Sequence, residues 1–156
     1  MTQRQAVRAI VLHGNQLLVM QRNKFGKQYY TLIGGGVEAG EDLEAALRRE
    51  LHEETCMEVG AVRLVFTEDA GDRFGMQYIY LCDYIGGDPA LAADSEEAAA
   101  SAEGQDSYQP LWLPLAELPQ STFRSRSVRE AVLAGLQSGW PETPVELAWE
   151  GEDVGK

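Results

Sequence analysis

Residues 35–57 read GGVEAGEDLEAALRRELHEETCM, and this stretch decides how the chain folds. Five residues separate Gly35 from Glu41, and seven more separate Glu41 from the run Arg49-Glu50-Leu51-His52-Glu53-Glu54-Thr55-Cys56-Met57. Asp42 is a good N-cap type, and Leu43, Ala46, Leu47 and Leu51 recur at helical spacing. That pattern predicts a helix from about Asp42 to about Thr55, with those apolar positions on its buried face. On such a helix Glu50, Glu53 and Glu54 stand at i, i+3 and i+4 and crowd one face. Each like-charge pair at that spacing costs roughly 0.2–0.5 kcal/mol, and anions toward a helix C-terminus also oppose the macrodipole. A solvated acidic face is the plainest account of such a cluster. A divalent cation over it gives the unfavourable arrangement a purpose, because hard cations take carboxylate oxygens and bridge them to phosphates.

The run from Gly35 through Glu41, Arg49, Glu50, Glu53 and Glu54 to Met57 resembles the Nudix box, G-x5-E-x7-R-E-U-x-E-E-x-G-U with U a bulky aliphatic residue. That box is the signature of the Nudix (MutT-like) pyrophosphohydrolases. Cys56 stands where the family has glycine, the residue preferred where a chain leaves a helix through a left-handed conformation. The lead-in over residues 32–41 is also family-like, with Ile33 where proline is common. The resemblance implies an α/β/α sandwich with a mixed sheet, the Nudix fold. It also implies hydrolysis of a pyrophosphate bond in a nucleoside diphosphate derivative, dependent on Mg²⁺, with Mn²⁺ as an alternative ion.

Carried over position by position, the resemblance makes Glu53 and Glu54 metal ligands and Glu50 a further ligand or the base that activates water. Spacing alone does not divide those roles, since both demand a carboxylate facing the metal. Arg49 is expected to pair with Glu41 and so hold the catalytic loop. Gly34 occupies the position whose carbonyl the family offers to the metal. Glu103-Gly104-Gln105 resembles a Glu-Gly-Gln segment that some MutT-like members place before a strand bearing tryptophan. Glu103 is therefore a candidate ligand or base from outside the box. Arg22, at the end of the second apolar run, is a candidate contact for substrate phosphates, and Lys24 a weaker one.

Substrate clues point less sharply. ADP-ribose-directed members tend to carry a proline after the box, and residues 58–87 contain none. Dinucleotide-polyphosphate members tend to have a tyrosine there, where Phe74 is the nearest aromatic. Both absences lean toward a nucleoside triphosphate, with ADP-ribose or a dinucleotide polyphosphate as alternatives. A nucleotide-sensing domain without turnover is the rival from another class, and the complete acidic cluster speaks against it.

The rest of the chain bounds these readings. With 156 residues, 44% hydrophobic and 24% charged, it has the length and composition of one globular domain. The net charge of −12 disfavours nucleic acid or an anionic membrane as partner and leaves a small phosphorylated nucleotide open. A homodimer is compatible with everything read so far. Cys56 and Cys82 are expected to be reduced, small buried hydrophobes, and the chain reads as cytoplasmic.

Residues 6–12 and 17–20, joined by His13-Gly14-Asn15, predict a hairpin, with His13 and His52 carrying no partner pattern. Residues 29–33 read as a third strand entering a glycine loop at 34–36, and 62–67, 76–84 and 108–113 as further strands. An acidic insert near 87–107, poor in bulky residues, is expected to be a mobile loop. A helical turn at 115–118 precedes a terminal helix marked by Val128, Ala131, Val132 and Leu136. The domain is placed at 1–140, with 141–156 as a C-terminal tail lacking periodicity.

Overall fold

The structure, a computed structural model, describes residues 4–90 and 106–149. Its elements run β1 (Gln5–His13), β2 (Gln16–Lys24), β3 (Lys27–Thr31), β4 (Ile33–Gly36), α1 (Leu43–Thr55) and β5 (Val59–Asp69). They continue with α2 (Gly71–Phe74), β6 (Met76–Tyr84), β7 (Asp106–Pro114), a 3₁₀ turn (Leu115–Gln120), α3 (Arg126–Ser138) and β8 (Val145–Leu147).

The β1–β2 hairpin is joined only at its closed end, where Leu12 faces Leu17 and His13 faces Gln16. Beyond that the two strands part, and each takes its own neighbours within one eight-stranded sheet. The start of β1 pairs antiparallel with β4 on one side and parallel with β6 on the other. Sheet growth continues through β5 to β8. Strand β2 carries β3 on one edge and β7 on the other. The sheet is therefore mixed.

Alternation along the strands feeds two cores. Val7, Ala9 and Val11 of β1, with Leu18 and Met20 of β2, pack toward Ala46, Leu47 and Leu51 of α1. Their neighbours Ile10, Leu17 and Val19 pack on the other side with Val128, Ala131 and Val132 of α3 and with Phe123. Strands buried on both faces between helices give the α/β/α sandwich expected. Burying a leucine is worth about 1.5–3 kcal/mol, so Leu47 and Leu51 alone outweigh the repulsion among the glutamates of α1.

Several local expectations are corrected. The glycines at 34–36 form β4, paired with Ala6, Val7 and Arg8, rather than a loop. Strand β7 begins at Asp106, inside the stretch read as insert. On α3 the buried position is Gly135, and Leu136 stays 37% exposed. The cause is Trp140, which folds back so closely that a Cβ on Gly135 would lie 2.3 Å from its ring. Part of the stretch read as a tail joins the sheet, with β8 parallel to β5 and the Trp149 ring 5.8 Å from Phe74. His13 has partners after all, stacking on Tyr84 at 4.1 Å and approaching Trp112. Cys56 is exposed and only Cys82 is buried, so the thiols do not share one role. Burial pushes the Cys82 thiol up to about 12, which keeps it protonated and inert. The expected mobile loop and its Glu103 fall largely in residues 91–105, outside the described residues. Among the described residues no helix is long and apolar enough to cross a membrane.

Candidate active site

Helix α1 starts as its sequence demands, with Asp42 at the N-cap accepting from the Ala45 N–H at 2.7 Å. It ends at Cys56, whose φ of 58° is left-handed and whose N–H bonds to the His52 carbonyl. The position where the box has glycine thus adopts the glycine conformation without one.

Between those ends α1 lies over β4, and the two exchange polar contacts. Glu54 accepts a hydrogen bond from the Gly34 N–H at 3.0 Å. A Cβ on Gly35 would fall 2.6 Å from the Glu50 carboxyl, so only glycine lets that carboxylate approach the strand. Gly34 is equally constrained, since a Cβ there would meet the Val7 carbonyl at 1.9 Å. Glu50 and Glu54 are consequently buried, at 8% and 7% exposure. Glu53 is half-exposed and does not line the cleft that Glu50 and Glu54 enter.

Arg49 ties these acids to the chain before the helix. Its Nε and Nη2 donate to the two Glu41 oxygens at 2.7 and 2.9 Å, and Nη2 also donates to the Gly36 carbonyl. Nη1 donates to Glu50 at 2.9 Å and to Glu53 at 3.2 Å. Bidentate pairing of this kind is the strong form of an ion pair. It holds the Glu41 carboxyl down at about 2 and pushes the Arg49 guanidinium upward.

Glu50, Glu54 and the backbone of Gly34, Gly35 and Gly36 form one wall of a cleft of about 350 Å³. Six cations line the same cleft, Arg4, Arg8, Arg22, Lys24, Arg73 and Arg124. A chain of net charge −12 thus gathers nearly half of its 13 lysines and arginines in one hollow. Arg8 is anchored by donating to Gln77 Oε1 at 3.1 Å and to the Leu32 carbonyl at 3.2 Å. Burial, then the Arg124 charge, lowers it to about 10, with Glu54 and Glu50 opposing, so it stays charged at neutral pH. Arg22 lines the cleft, its guanidinium 3.7 Å from the centre of the Tyr108 ring.

Arg4, Arg8, Arg73, Arg124 and Tyr108 had not been singled out. Arg4 and Arg8 belong to the β1 segment, but Arg73, Arg124 and Tyr108 come from three others, so only the tertiary fold assembles the set. Glu68 also escaped notice: it is 2% exposed, accepts from the Ser125 hydroxyl at 2.7 Å, and lines a smaller hollow beside the cleft with Arg8 and Arg124.

A model of the NUDIX domain matches residues 2–132. The chain belongs to the Nudix hydrolase family. A NAD-capped RNA hydrolase, NudC, of Vibrio parahaemolyticus is 36% identical over 74 residues, 47% of this chain and 28% of that protein. The chain spans about a third of the length of the curated Nudix relatives it matches. A solved MutT from Aliivibrio salmonicida or Vibrio cholerae shares the fold, with a TM-score of 0.65 at 23% identity over 85% of this chain and 98% of that one. An ADP-ribose pyrophosphatase from Streptococcus suis does likewise, with a TM-score of 0.60 at 18% identity over 93% and 99%. At those identities the solved Nudix structures establish the fold alone.

Proposed function

We propose that this chain hydrolyses a pyrophosphate bond in a nucleoside diphosphate derivative, using Mg²⁺ or Mn²⁺ bound through Glu53 and Glu54, with Glu50 as a further ligand or as the base. The observation that carries the reading is the cleft, whose lining buried Glu50 and Glu54 beside the glycine strand share with six cationic side chains. The carboxylates suit a hard cation, and the guanidinium groups lining the same cleft suit phosphate oxygens.

The donor set fits a magnesium-like ion. Among the described residues no three acidic, histidine or cysteine side chains close a ready cage. Mg²⁺ does not require one, because it is commonly held by one or two carboxylates, with water and substrate phosphates completing its shell. Gly34 and Glu103 are further ligand positions by family resemblance. When bound, the ion neutralises phosphate charge and lowers the pKa of a water.

The chain's own residues supply the rest. Arg49 fixes the direction of Glu50 and Glu53, so that these carboxylates do not swing into solvent. Arg22 and Arg8 bind phosphate oxygens. Glu50, or Glu103 from beyond the box, takes the proton of the attacking water as the P–O–P bond breaks. The products are a nucleoside monophosphate and the remaining phosphorylated fragment.

Within this class, the sequence leans toward a nucleoside triphosphate. The 36% identity to a NAD-capped RNA hydrolase favours a second reading, a dinucleotide pyrophosphate of the NAD type. A panel of ATP, GTP, ADP-ribose, NAD⁺ and diadenosine tetraphosphate with Mg²⁺, read by product chromatography, separates these. Nucleotide binding without product release across the panel would make the protein a sensor and defeat the hydrolase reading.

A further inference from the structure

Along one wall of the cleft, aromatic rings and guanidinium groups alternate. Arg22 lies 3.7 Å from the centre of the Tyr108 ring and 5.7 Å from that of Tyr29. Arg124 follows, 5.2 Å from Tyr29 and 4.8 Å from Phe74, and Arg73 lies 5.0 Å from Phe74. The members come from β2, β3, β7, α2 and the segment before α3, so apart from the consecutive Arg73 and Phe74 only the tertiary fold brings them together. A guanidinium stacked on a ring keeps its planar fork fixed, and a fixed fork matches phosphate better than a freely rotating charge.

Two features say what the row is for. Tyr29 is only 4% exposed, and its hydroxyl accepts from Arg124 at 3.4 Å. Its ring is therefore occupied by Arg22 and Arg124 and offers no open face to a nucleobase. In addition, the glycine strand beside Glu50 and Glu54 already has its own cations. The Arg4 side chain lies 3.8 Å from the Cβ position of Gly36, and Arg8 carbon Cδ 2.9 Å from that of Gly34. The ladder adjoins that group, Arg4 Nη1 donating to the Arg73 carbonyl at 3.4 Å, and adds Arg22, Arg124 and Arg73 to the cations of the cleft.

We propose that the ladder Tyr108–Arg22–Tyr29–Arg124–Phe74–Arg73 recognises a second phosphoryl group of the substrate, set apart from the scissile pyrophosphate. Tyr29 is its positioning residue, holding Arg22 and Arg124 in fixed orientation. The proposal rests on the pyrophosphatase reading for where the substrate lies, and it names a substrate class within that reading.

Two matched pairs test it. NADP⁺ and NAD⁺ differ by one ribose phosphate, and adenosine 5′-tetraphosphate and ATP by one phosphate in the chain. Dissociation constants measured calorimetrically in EDTA report the ladder without turnover, and KM and kcat with Mg²⁺ report it during turnover. The added phosphate is expected to tighten binding and lower KM by about tenfold in at least one pair, the worth of one charge-assisted hydrogen bond. The responding pair shows whether the group sits on the ribose or on the polyphosphate chain. Arg124→Gln and Tyr29→Leu are expected to collapse that preference toward unity, whereas Tyr29→Phe keeps the ring and retains it. No preference in either pair, or a preference that survives Arg124→Gln, overturns the ladder. Absence of hydrolysis in these four and in GTP, ADP-ribose and diadenosine tetraphosphate instead overturns the pyrophosphatase reading, and the EDTA measurements still decide the ladder.

Discussion

Arg49 grips Glu41 with both prongs of its guanidinium, Nε to Oε2 at 2.7 Å and Nη2 to Oε1 at 2.9 Å. The same side chain reaches forward to Glu50 and Glu53 through Nη1. One cation therefore binds the turn before α1 to the carboxylates on it. It also offsets the repulsion that their spacing creates. The pair is a mechanical link between the box's first acid and two of its last three, Glu50 and Glu53.

The link has a pH signature. The Arg49 hydrogen bonds, then a backbone N–H, lower the Glu41 carboxyl from 4.5 to about 2. A group whose folded pKa is depressed contributes stability above its unfolded value and loses it as pH falls through the folded one. The Glu41 contribution is thus complete above about pH 4.5 and gone near pH 2. Melting temperatures of the parent protein and Glu41→Gln are expected to converge across that window as pH falls. A gap that stays constant from neutral pH to pH 2 would show that the pair carries none of the acid sensitivity.

Gly35 gives a sharper test of site geometry. A Cβ there lies 2.6 Å from the Glu50 carboxyl, closer than real Cβ contacts allow. The atom it meets is the end of a side chain, so Gly35→Ala displaces the carboxylate rather than the backbone. Melting temperature is expected to change little, while turnover falls by about 100-fold, the scale of a 1 Å misplacement near the chemistry. Near-native turnover in Gly35→Ala would show that Glu50 is not poised where the structure puts it.

What the sequence made legible follows from range. The β1–β2 hairpin, α1 and its Asp42 cap, and β6 are local patterns, and each was read to within a few residues. The Arg49–Glu41 pairing came from resemblance, and the coordinates contain it. Pairing of Gly34 with Arg8 was not legible, because glycines carry no strand propensity and the partner lies in another segment. The cationic wall failed for the same reason: Arg4, Arg8, Arg73 and Arg124 meet only through parallel pairing of β1 with β6 and the return of the chain beside Tyr30. Leu136 was misassigned because a bulky residue outranks glycine in any periodic pattern, and Trp140 reverses that ranking only in three dimensions.

Cys56 departs from the box, and its left-handed φ of 58° shows a cost of that departure. A residue with a Cβ in that region is disfavoured by roughly 1–2 kcal/mol, part of which glycine returns through its larger unfolded-state entropy. Cys56→Gly is therefore expected to stabilise the protein by about 0.5–1 kcal/mol, with no change in metal requirement. Chemical denaturation at constant m-value measures it. A lower midpoint in Cys56→Gly would mean that the exposed thiol makes a contact outweighing the strain.

The acids of α1 separate metal binding from architecture. Gln in place of Glu50, Glu53 or Glu54 keeps the size and an acceptor oxygen but removes the charge that binds a cation. Without metal, each change relieves like-charge repulsion and weakens an existing contact, to Arg49 for Glu50 and Glu53 or to the Gly34 N–H for Glu54. For half-exposed Glu53 those terms are each on the order of a few tenths of a kcal/mol and oppose one another, so its metal-free melting is expected to move little. For buried Glu50 and Glu54 the lost charge-assisted bond is worth about 1.5–3 kcal/mol and is offset by the relief of burying a charge, so either sign of a modest shift is compatible with a metal role. Saturating Mg²⁺ is expected to raise the parent's stability by about 2.7 kcal/mol at a hundredfold excess over its dissociation constant. That increment is expected to shrink in each variant, and turnover to fall by orders of magnitude, most severely for buried Glu50 and Glu54. Variants that lose stability without metal, yet keep both the Mg²⁺ increment and turnover, would make these carboxylates structural and place the ion elsewhere.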